Sequence, residues 1–421
     1  MPQRGRIAWM LAGYVLLLGG CSSSTCLKCK GDPQCDPRKN LAQFSLAPGE
    51  KVVTPEEVQR DAVINNGVAR SLQKDSEGED RESCVMCGPG QKRTKLARLM
   101  KSYAADEARN QSAALALDAY YRLAEARLQI KLVEQGRDLA EKLVAKAEEY
   151  RKKGLEVPED ITALKRQASS TVSDRVKLEL LRDRLTEQMR LLADGDLDTC
   201  QVGTVESFHV VDLPLDEAEA LAIGLKYRPE LNLLRSALCN LDASTLPLIR
   251  QLLGGSSPLL GDKVRRCVPL MECLPRILPL LARGELEKVR YELTTILCER
   301  ERQVVSEVRQ ALRRIEATAK LAGLAQDREA LVGKRLAELE ERSGKGLLTD
   351  GDLPRARKDH VQARSDVLQS AIEWELARVE LRRAQGLLVQ EVLGRDRENL
   401  PNPCAGASPP KPPGPLAIST K

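Results

Sequence analysis

The sequence predicts a mainly α protein that consists of two tandem repeats of long antiparallel coiled-coil hairpins, with little or no β structure. Apolar and small residues recur at seven-residue spacing in two separate stretches of the chain. The turn that follows the first stretch also recurs, in altered form, after the second. Composition agrees, because 30% of the residues are charged and only 3% are aromatic, which favours long solvated helices over an aromatic-lined enzyme pocket.

The first 20 residues indicate an export signal. Arg4 and Arg6 precede an apolar run that ends at Leu18 and is too short to span a bilayer as a mature helix. The run closes on Leu-Gly-Gly-Cys at Cys21, which resembles the lipobox of bacterial lipoproteins, and Ser22 follows, as in lipoproteins sorted to the outer membrane. We therefore expect acyl chains on Cys21 to anchor the protein without a spanning helix. An ordinary signal peptide or an uncleaved anchor is the alternative.

Eleven cysteines remain beyond Cys21, in what is predicted to be an oxidising compartment. The candidate disulfide cysteines form three close pairs: Cys26 and Cys29, Cys84 and Cys87, Cys267 and Cys273. Metal binding is a weaker alternative, because the two CxxC pairs lie much further apart than the roughly 15 to 20 residues of a zinc module. Unpaired structural thiols are the third interpretation of these cysteines. We predict no metal and no cofactor.

The duplication has one register throughout. Adding 192 to the turn residues Gly154, Leu155, Asp160 and Ile161 gives Gly346, Leu347, Asp352 and Leu353. The first stripe comprises Leu123, Ala126, Ile130, Val133, Ala140, Val144 and Ala147. The second comprises Val308, Ala311, Ile315, Thr318, Ala322, Ala325, Val332, Leu336 and Leu339. The same offset carries Leu123 to Ile315 and Ala126 to Thr318, so internal duplication is the plainest explanation.

Each repeat is predicted to form one long hairpin. The first helix of hairpin 1 should run from about Leu115 to the turn, on the order of 60 Å at 1.5 Å per residue. The return helices should cover about Ile161 to Ala193 and Leu353 to Leu393. The seams mix Leu, Ile or Val with Ala or Thr, and small residues let neighbouring helices approach closely.

A shorter duplication precedes each hairpin and carries a family resemblance. Glu56, Glu57, Ala62 and Val63 match Asp216, Glu217, Ala222 and Ile223. DEAEALAIGLKYRPEL from Asp216, AYYRLAEARLQ from Ala119, the two turns and the twofold repeat occur in the order found in one family. Over residues 54–394 the chain resembles the TolC-type outer membrane factors, the outer membrane efflux proteins.

This resemblance implies a function in export. Three chains, each with two hairpins, would form a periplasmic tunnel whose entrance consists of the hairpin tips. The tips would bind the periplasmic adaptor of an efflux or type I secretion pump in the inner membrane. The implied adaptor contacts are Gly154, Leu155, Gly346 and Leu347, and the implied entrance residues are Asp160, Asp352 and Arg355. A carboxylate at a helix N-terminus also caps free amides, a structural role that needs no transport.

Two of the departures from the family concern the tunnel entrance and the membrane barrel. Arg355 stands where some members have a second aspartate, and its charge beside Asp352 would pair rather than concentrate a negative field at the entrance. Neither residues 64–118 nor residues 224–310 show the alternating strands with aromatic girdles that would form the membrane barrel. We therefore predict a lipoprotein member with reduced or missing barrel strands. A barrel-less periplasmic coiled-coil scaffold or tether without transport activity is the alternative.

The sequence divides into distinct segments, and its motifs and charge are not those of an enzyme or a nucleic-acid-binding protein. The segments are a signal (1–20), a Cys-rich tether (21–52), repeat 1 (53–194), a linker or equatorial segment (195–213), repeat 2 (214–394) with a Leu/Pro-rich insert (254–284), and a Pro-rich tail (395–421). The two histidines lie in separate contexts and no catalytic or nucleotide-binding motif is present, so we predict that the protein is not an enzyme. The formal charge of +5 is dispersed, which argues against nucleic acid as a partner.

Overall fold

The structure, a computed structural model, describes residues 53–83, 89–154, 161–193, 210, 216–256, 278–345 and 352–394. They lie in one compact unit, Glu50–Lys421. Repeat 1 contains α1 (Pro55–Ile64), α2 (Gly67–Ser83), α3 (Pro89–Lys152) and α4 (Ile161–Ala193). Repeat 2 contains α5 (Glu217–Tyr227), α6 (Pro229–Cys239), α7 (Leu246–Ser256), α8 (Leu278–Gly344), α9 (Asp352–Gln385) and α10 (Leu387–Leu393). These residues include no strand beyond a single bridge at Val53. The mainly α fold with two long hairpins is confirmed.

The short helices of the two repeats begin with equivalent caps. Thr54 caps α1 in a capping box, in which its hydroxyl accepts from the Glu57 N–H and the Glu57 carboxylate accepts from the Thr54 N–H. Asp216 caps α5 by accepting from the Ala218 N–H at 2.9 Å. The structure therefore aligns Thr54 with Asp216, and the predicted match of Glu56 with Asp216 is wrong by two residues. Burial follows the corrected register, in which Val58 corresponds to Ala220 and Ala62 to Gly224.

The outgoing helices are longer than predicted. α3 has 64 residues and α8 has 67 residues, which gives about 100 Å each at 1.5 Å per residue. The added part of α3 is held by the short helices, since Leu96 packs in a cluster with Ala237 and Leu241. α7 extends to Ser256 and α8 begins at Leu278, so both predicted ends of the Leu/Pro-rich insert fall inside helices.

The predicted register of the duplication reappears in the burial of side chains. Residues 192 positions apart are buried in both outgoing helices: Ala116 and Val308, Ala119 and Ala311, Leu123 and Ile315, Ala126 and Thr318. The return helices follow the same rule: Leu185 and Ala377, Met189 and Leu381. Nearer the turns the seam is thinner, with Ile130 and Val133 only half-buried.

The four long helices form a row in the order α4, α3, α9, α8. Within the hairpins α3 packs on α4 and α8 packs on α9, and the hairpins meet where α3 packs on α9. At that junction the Tyr121 hydroxyl lies 3.4 Å from the Glu375 carboxylate, and the Asn110 side chain donates to the Arg383 carbonyl oxygen at 3.1 Å. The Tyr121–Glu375 contact is nearer both turns, so both turns point the same way. α4 and α8 are the edge helices of the row.

Three hydrophobic clusters lie at the end of the row far from the turns, which we call the base. One joins α1, α3, α4, α9 and α10, the second joins α5, α6, α8 and α9, and the third joins α3, α6, α7 and α8. Val210 packs against the second cluster. On α3 and α8 no member of these clusters lies nearer the turns than Ala124 and Ala319. Apolar burial therefore concentrates at the base.

A buried ionic network also joins the helices at the base. Arg228, between α5 and α6, is 1% exposed. Its Nε lies 2.7 Å from the Glu230 carboxylate, and its guanidinium also pairs with Glu307 of α8. It donates to the Arg383 carbonyl oxygen of α9 at 3.2 Å. Removing one partner of such a buried group leaves an uncompensated charge, so the network depends on all its members.

Glu107 of α3 lies beside this network and behaves differently from an ordinary carboxyl group. Its burial, and next the negative charge of Glu230, raise its pKa from 4.5 to about 7. The Gln111 amide donates to it at 2.7 Å, and Arg228 acts in the opposite direction to Glu230. The folded protein therefore retains a proton at Glu107 at pH values where exposed glutamates are ionised.

The second return helix is interrupted. Gly386 has φ +73°, and a Cβ atom there would lie 2.9 Å from the Tyr227 carbonyl oxygen. Only glycine combines this backbone conformation with so close an approach. The predicted helix over Leu353–Leu393 is confirmed, but the structure divides it into α9 and α10 at this glycine.

The cysteines within the described part of the chain were not among the predicted pairs. Cys239 at the end of α6 is disulfide-bonded. Cys298 is free and exposed, so the partner of Cys239 lies outside the described residues. Sequence analysis missed Cys239 because no cysteine lies close to it in sequence. The predicted disulfide cysteines, Cys26, Cys29, Cys84, Cys87, Cys267 and Cys273, lie outside the described residues, as does Cys21.

Candidate functional site: the hairpin tips

Tip 1 is the turn between α3 and α4, and tip 2 is the turn between α8 and α9. The Lys153 N–H donates to the Glu149 carbonyl oxygen at 3.0 Å, and the Gly154 N–H donates to the Arg151 carbonyl oxygen at 3.1 Å. Gly154 has φ +70°, the left-handed conformation expected at the exit of a helix. The other predicted tip residues, Leu155, Asp160, Gly346 and Leu347, lie outside the described residues.

Two ion pairs flank tip 1. Lys153, the residue after α3, pairs with Glu149 of α3 at 2.6 Å, and Lys165 of α4 pairs with Glu148 of α3 at 2.7 Å across the hairpin. The hydrogen bond from Lys165 and its charge lower the pKa of Glu148, and Lys153 lowers the pKa of Glu149 in the same way. The pairs are exposed, so they orient the tip surface more than they stabilise the fold.

Tip 2 repeats both pairs. Lys345 pairs with Glu341 at 2.6 Å, and Arg357 of α9 pairs with Glu340 of α8 at 2.9 Å across the hairpin. Each of these residues lies 192 positions after its counterpart at tip 1. Sequence analysis missed these ion pairs, because the offset of the repeat relates the charges of one tip to those of the other but does not show which charges face each other. The tips therefore share their flanking charges as well as their turn sequence.

The predicted entrance residues of hairpin 2 lie where α9 begins. Asp352 is the first residue of α9, and Arg355 follows three residues later, with both side chains exposed. A carboxylate in the first turn is favourable beside the positive end of the helix dipole. α4 begins at Ile161, directly after Asp160.

The edge helices expose apolar side chains between the base and the tips. Val172, Val176 and Leu180 are exposed on α4, and Leu321, Leu324 and Leu331 are exposed on α8. The residues 192 positions after Val176 and Leu180 are Leu368 and Ile372 of α9, which pack in the cluster against α3. Leu180 is 71% exposed, whereas Ile372 is 0% exposed. The same position of the repeat is therefore buried on α9 and exposed on α4.

The hairpins present exposed apolar side chains on the edge helices and ion pairs at the tips. No helix in the described ranges is both long and apolar enough to cross a membrane. Within the same ranges, no three His, Cys, Asp or Glu side chains are grouped so that they could hold a metal ion.

The chain was compared with known proteins. No family model and no curated protein matches it. Among solved structures it is similar to the CmeC outer membrane channel of Campylobacter jejuni, with 11% identity, a TM-score of 0.58, and coverage of 86% of this chain and 95% of that one. It is also similar to the MtrE outer membrane channel of Neisseria gonorrhoeae, in its open state, with 13% identity, a TM-score of 0.55, and coverage of 80% and 89%.

A third similar structure is the outer membrane protein VceC of Vibrio cholerae, with 10% identity, a TM-score of 0.56, and coverage of 79% and 96%. At such identities the likeness concerns the fold. The order of the short helices, the twofold repeat and the two long hairpins together show that this chain has the fold of the TolC-type outer membrane channels.

Proposed function

We propose that the protein is a lipid-anchored subunit of a homotrimeric periplasmic tunnel at the outer membrane, and that the tunnel is the exit duct of an efflux or type I secretion system. The similar solved structures are outer membrane channels rather than enzymes, which supports a transport role and argues against catalysis. The lipid anchor would be on Cys21, with the bulk of the chain in the periplasm and no nucleic acid among its partners.

The observation that carries this proposal is the exposed face of α4. Leu180 corresponds to Ile372, which is buried because α9 packs on α3. α8 is the repeat counterpart of α3 and is also an edge helix. If α4 of one copy packs on α8 of the next as α9 packs on α3, every subunit contact is equivalent and the row of helices closes into a ring. The resemblance sets the number of copies at three.

The tips would face the partner proteins. Gly154, Leu155, Gly346 and Leu347 would contact the periplasmic adaptor of an inner-membrane pump, and the pump would supply the energy. Asp160, Asp352 and Arg355 would line the tunnel entrance. The ion pairs repeated at both tips support this role, because they give the adaptor two similar surfaces on each subunit.

The native mass of the lipidated protein in mild detergent tests the assembly. Light scattering with the detergent contribution subtracted should give a trimer. A monomer or dimer over a wide concentration range would contradict the tunnel and leave the scaffold or tether function.

Export assays test the tips separately. Gly154→Pro combined with Gly346→Pro should abolish adaptor capture and export, because proline cannot adopt the left-handed conformation of Gly154. Lys153→Ala combined with Lys345→Ala is the milder variant and should weaken adaptor capture while the trimer persists. Undiminished export by a trimeric Pro variant would show that the tips do not bind the adaptor.

A further inference from the structure

A basic groove of about 640 Å³ lies along the base half of α8. We call it the arginine groove; its lining includes Leu225, Arg302, Val305, Ser306, Arg309 and Arg313. Arg309 pairs with Glu217 at 2.7 Å. Arg302 and Arg313 are both exposed, and neither forms an ion pair with any residue that the structure describes. The groove therefore presents two uncompensated positive charges on an edge helix.

The internal repeat shows what occupies the matching position in hairpin 1. Subtracting 192 from Val305, Ser306, Arg309 and Arg313 gives Ala113, Ala114, Leu117 and Tyr121. All four are buried, in the cluster that also contains Ile372 and Leu376 of α9. Within this cluster the return helix α9 reaches Tyr121, whose hydroxyl lies 3.4 Å from the Glu375 carboxylate. In hairpin 1, the outgoing helix α3 is covered by the return helix of the other hairpin, α9. The equivalent contact for α8 would be with the return helix of hairpin 1, α4.

The α4 of the same chain cannot occupy the groove. Two helices, α3 and α9, separate α4 from α8 in the row, and three interhelical spacings of about 8 to 10 Å place them roughly 24 to 30 Å apart. A second copy of the chain can present its α4 there, as the proposed ring requires.

The contacts between α3 and α9 predict which residues would meet. Tyr121 contacts Glu375, and the residues at the same positions of the other hairpins are Arg313 of α8 and Asp183 of α4. The Asp183 side chain is 65% exposed, and its ion pair is with Arg182, its immediate neighbour in sequence. A tyrosine–carboxylate contact inside the subunit thus corresponds to an arginine–carboxylate contact between subunits, which is complementary in charge.

The second contact between α3 and α9 also predicts residues that would meet between α8 and α4. Asn110 donates to the Arg383 carbonyl oxygen, and the corresponding residues are Arg302 of α8 and Leu191 of α4. Arg302 is a stronger donor than asparagine, and Leu191 is 84% exposed. Both contacts, mapped with the same repeat offset, place α4 against the arginine groove.

We infer that the arginine groove binds α4 of a second copy of this chain, and that Arg313 of one subunit pairs with Asp183 of the next. This inference rests on the proposed ring and adds the residues that set the register of its subunit contact. Asp183 lies on α4 between the exposed Leu180 and the exposed Leu191, so the pair would fix how far one subunit is displaced along its neighbour.

Charge reversal tests the pair in the full-length lipidated protein. Arg313→Asp or Asp183→Arg alone should raise the concentration at which the trimer dissociates by tenfold or more, as measured by light scattering on dilution in mild detergent. The double variant should return that concentration to within about threefold of the unmodified protein, because the pair is restored with opposite polarity. Arg290→Asp is the control and should change it less than threefold, because Arg290 is an exposed α8 residue outside the groove and its counterpart in hairpin 1, Arg98, is exposed as well.

Each outcome separates this inference from the proposed trimer. If the unmodified protein is not a trimer, the proposed function fails first. If it is a trimer and the double variant is no better than either single variant, Arg313 and Asp183 do not meet and the inference is overturned. Circular dichroism verifies helicity, and should a reversal unfold the chain, Arg313→Gln and Asp183→Asn replace it, with equal and non-additive losses expected for a contacting pair.

Discussion

Replacement of Glu107 by glutamine is expected to change how the stability of the base depends on pH. Burial and Glu230 raise the Glu107 pKa from 4.5 to about 7. Because the pKa of Glu107 is higher in the folded protein than in the unfolded chain, protonation of this carboxyl group stabilises the folded state. This stabilisation is complete below pH 4.5 and is lost as the pH rises to about 7. The difference corresponds to about 3 kcal/mol, since one pKa unit is worth about 1.4 kcal/mol. Glu107→Gln holds a neutral side chain of the same shape at every pH.

Urea unfolding followed by circular dichroism at pH 5, 6, 7 and 8 measures this effect. Near pH 5 the variant and the unmodified protein should unfold at similar urea concentrations. At pH 8 the variant should be the more stable, by up to about 3 kcal/mol. Glu141→Gln, at an exposed carboxylate on the same helix that pairs with Arg137, is the control and should shift the midpoint by a similar small amount at each pH. A constant difference between Glu107→Gln and the unmodified protein would show that folded Glu107 is ionised, and the reasoning from burial would be wrong.

Three further predictions concern the base. Gly386→Ala should lower the free energy of unfolding in urea by about 2 kcal/mol or more, because it combines positive φ with a backbone clash. Gly394→Ala, with positive φ and open space, should lower it by about 1 kcal/mol. Arg228→Met should cost about 1 to 3 kcal/mol, because it removes the hydrogen bonds of Arg228 to Glu307 and to the Arg383 carbonyl oxygen while Arg300 still pairs with Glu230 and Glu307. Arg290→Met on the exposed face of α8 should be nearly neutral in the same assay. Non-reducing peptide mapping should recover Cys239 in a disulfide; its alkylation without prior reduction would contradict the structure.

Much of the fold could be predicted because heptad stripes and an exact repeat offset can be recognised in the sequence without knowing which segments come into contact. The offset that relates Gly154 to Gly346 also relates buried Leu123 to buried Ile315. The start of α3 could not be predicted in this way, because Leu96 is buried by the short helices and not by the hairpin seam. A seam pattern reports only the partner that creates it.

The site was less predictable for a different reason. A glycine at the tip could be predicted, because a tight turn after a helix needs a left-handed backbone conformation, and Gly154 has that conformation. The pairs Glu148–Lys165 and Glu340–Arg357 depend on which charged residues face each other across a hairpin, and a charged helix surface offers many such combinations. The pairing of Cys239 depends on a contact distant in sequence, which spacing cannot reveal.

The concentration of apolar clusters at the base makes each hairpin a long arm held at one end. Ala124 is the last cluster member on α3 before the tip at Gly154, which leaves about 45 Å of helix beyond the clusters at 1.5 Å per residue. A rotation of about 5° at the base would then displace the tip by roughly 4 Å, without a change in any contact at the turn. Small rearrangements around Arg228 or Gly386 are therefore magnified at the opposite end of the subunit.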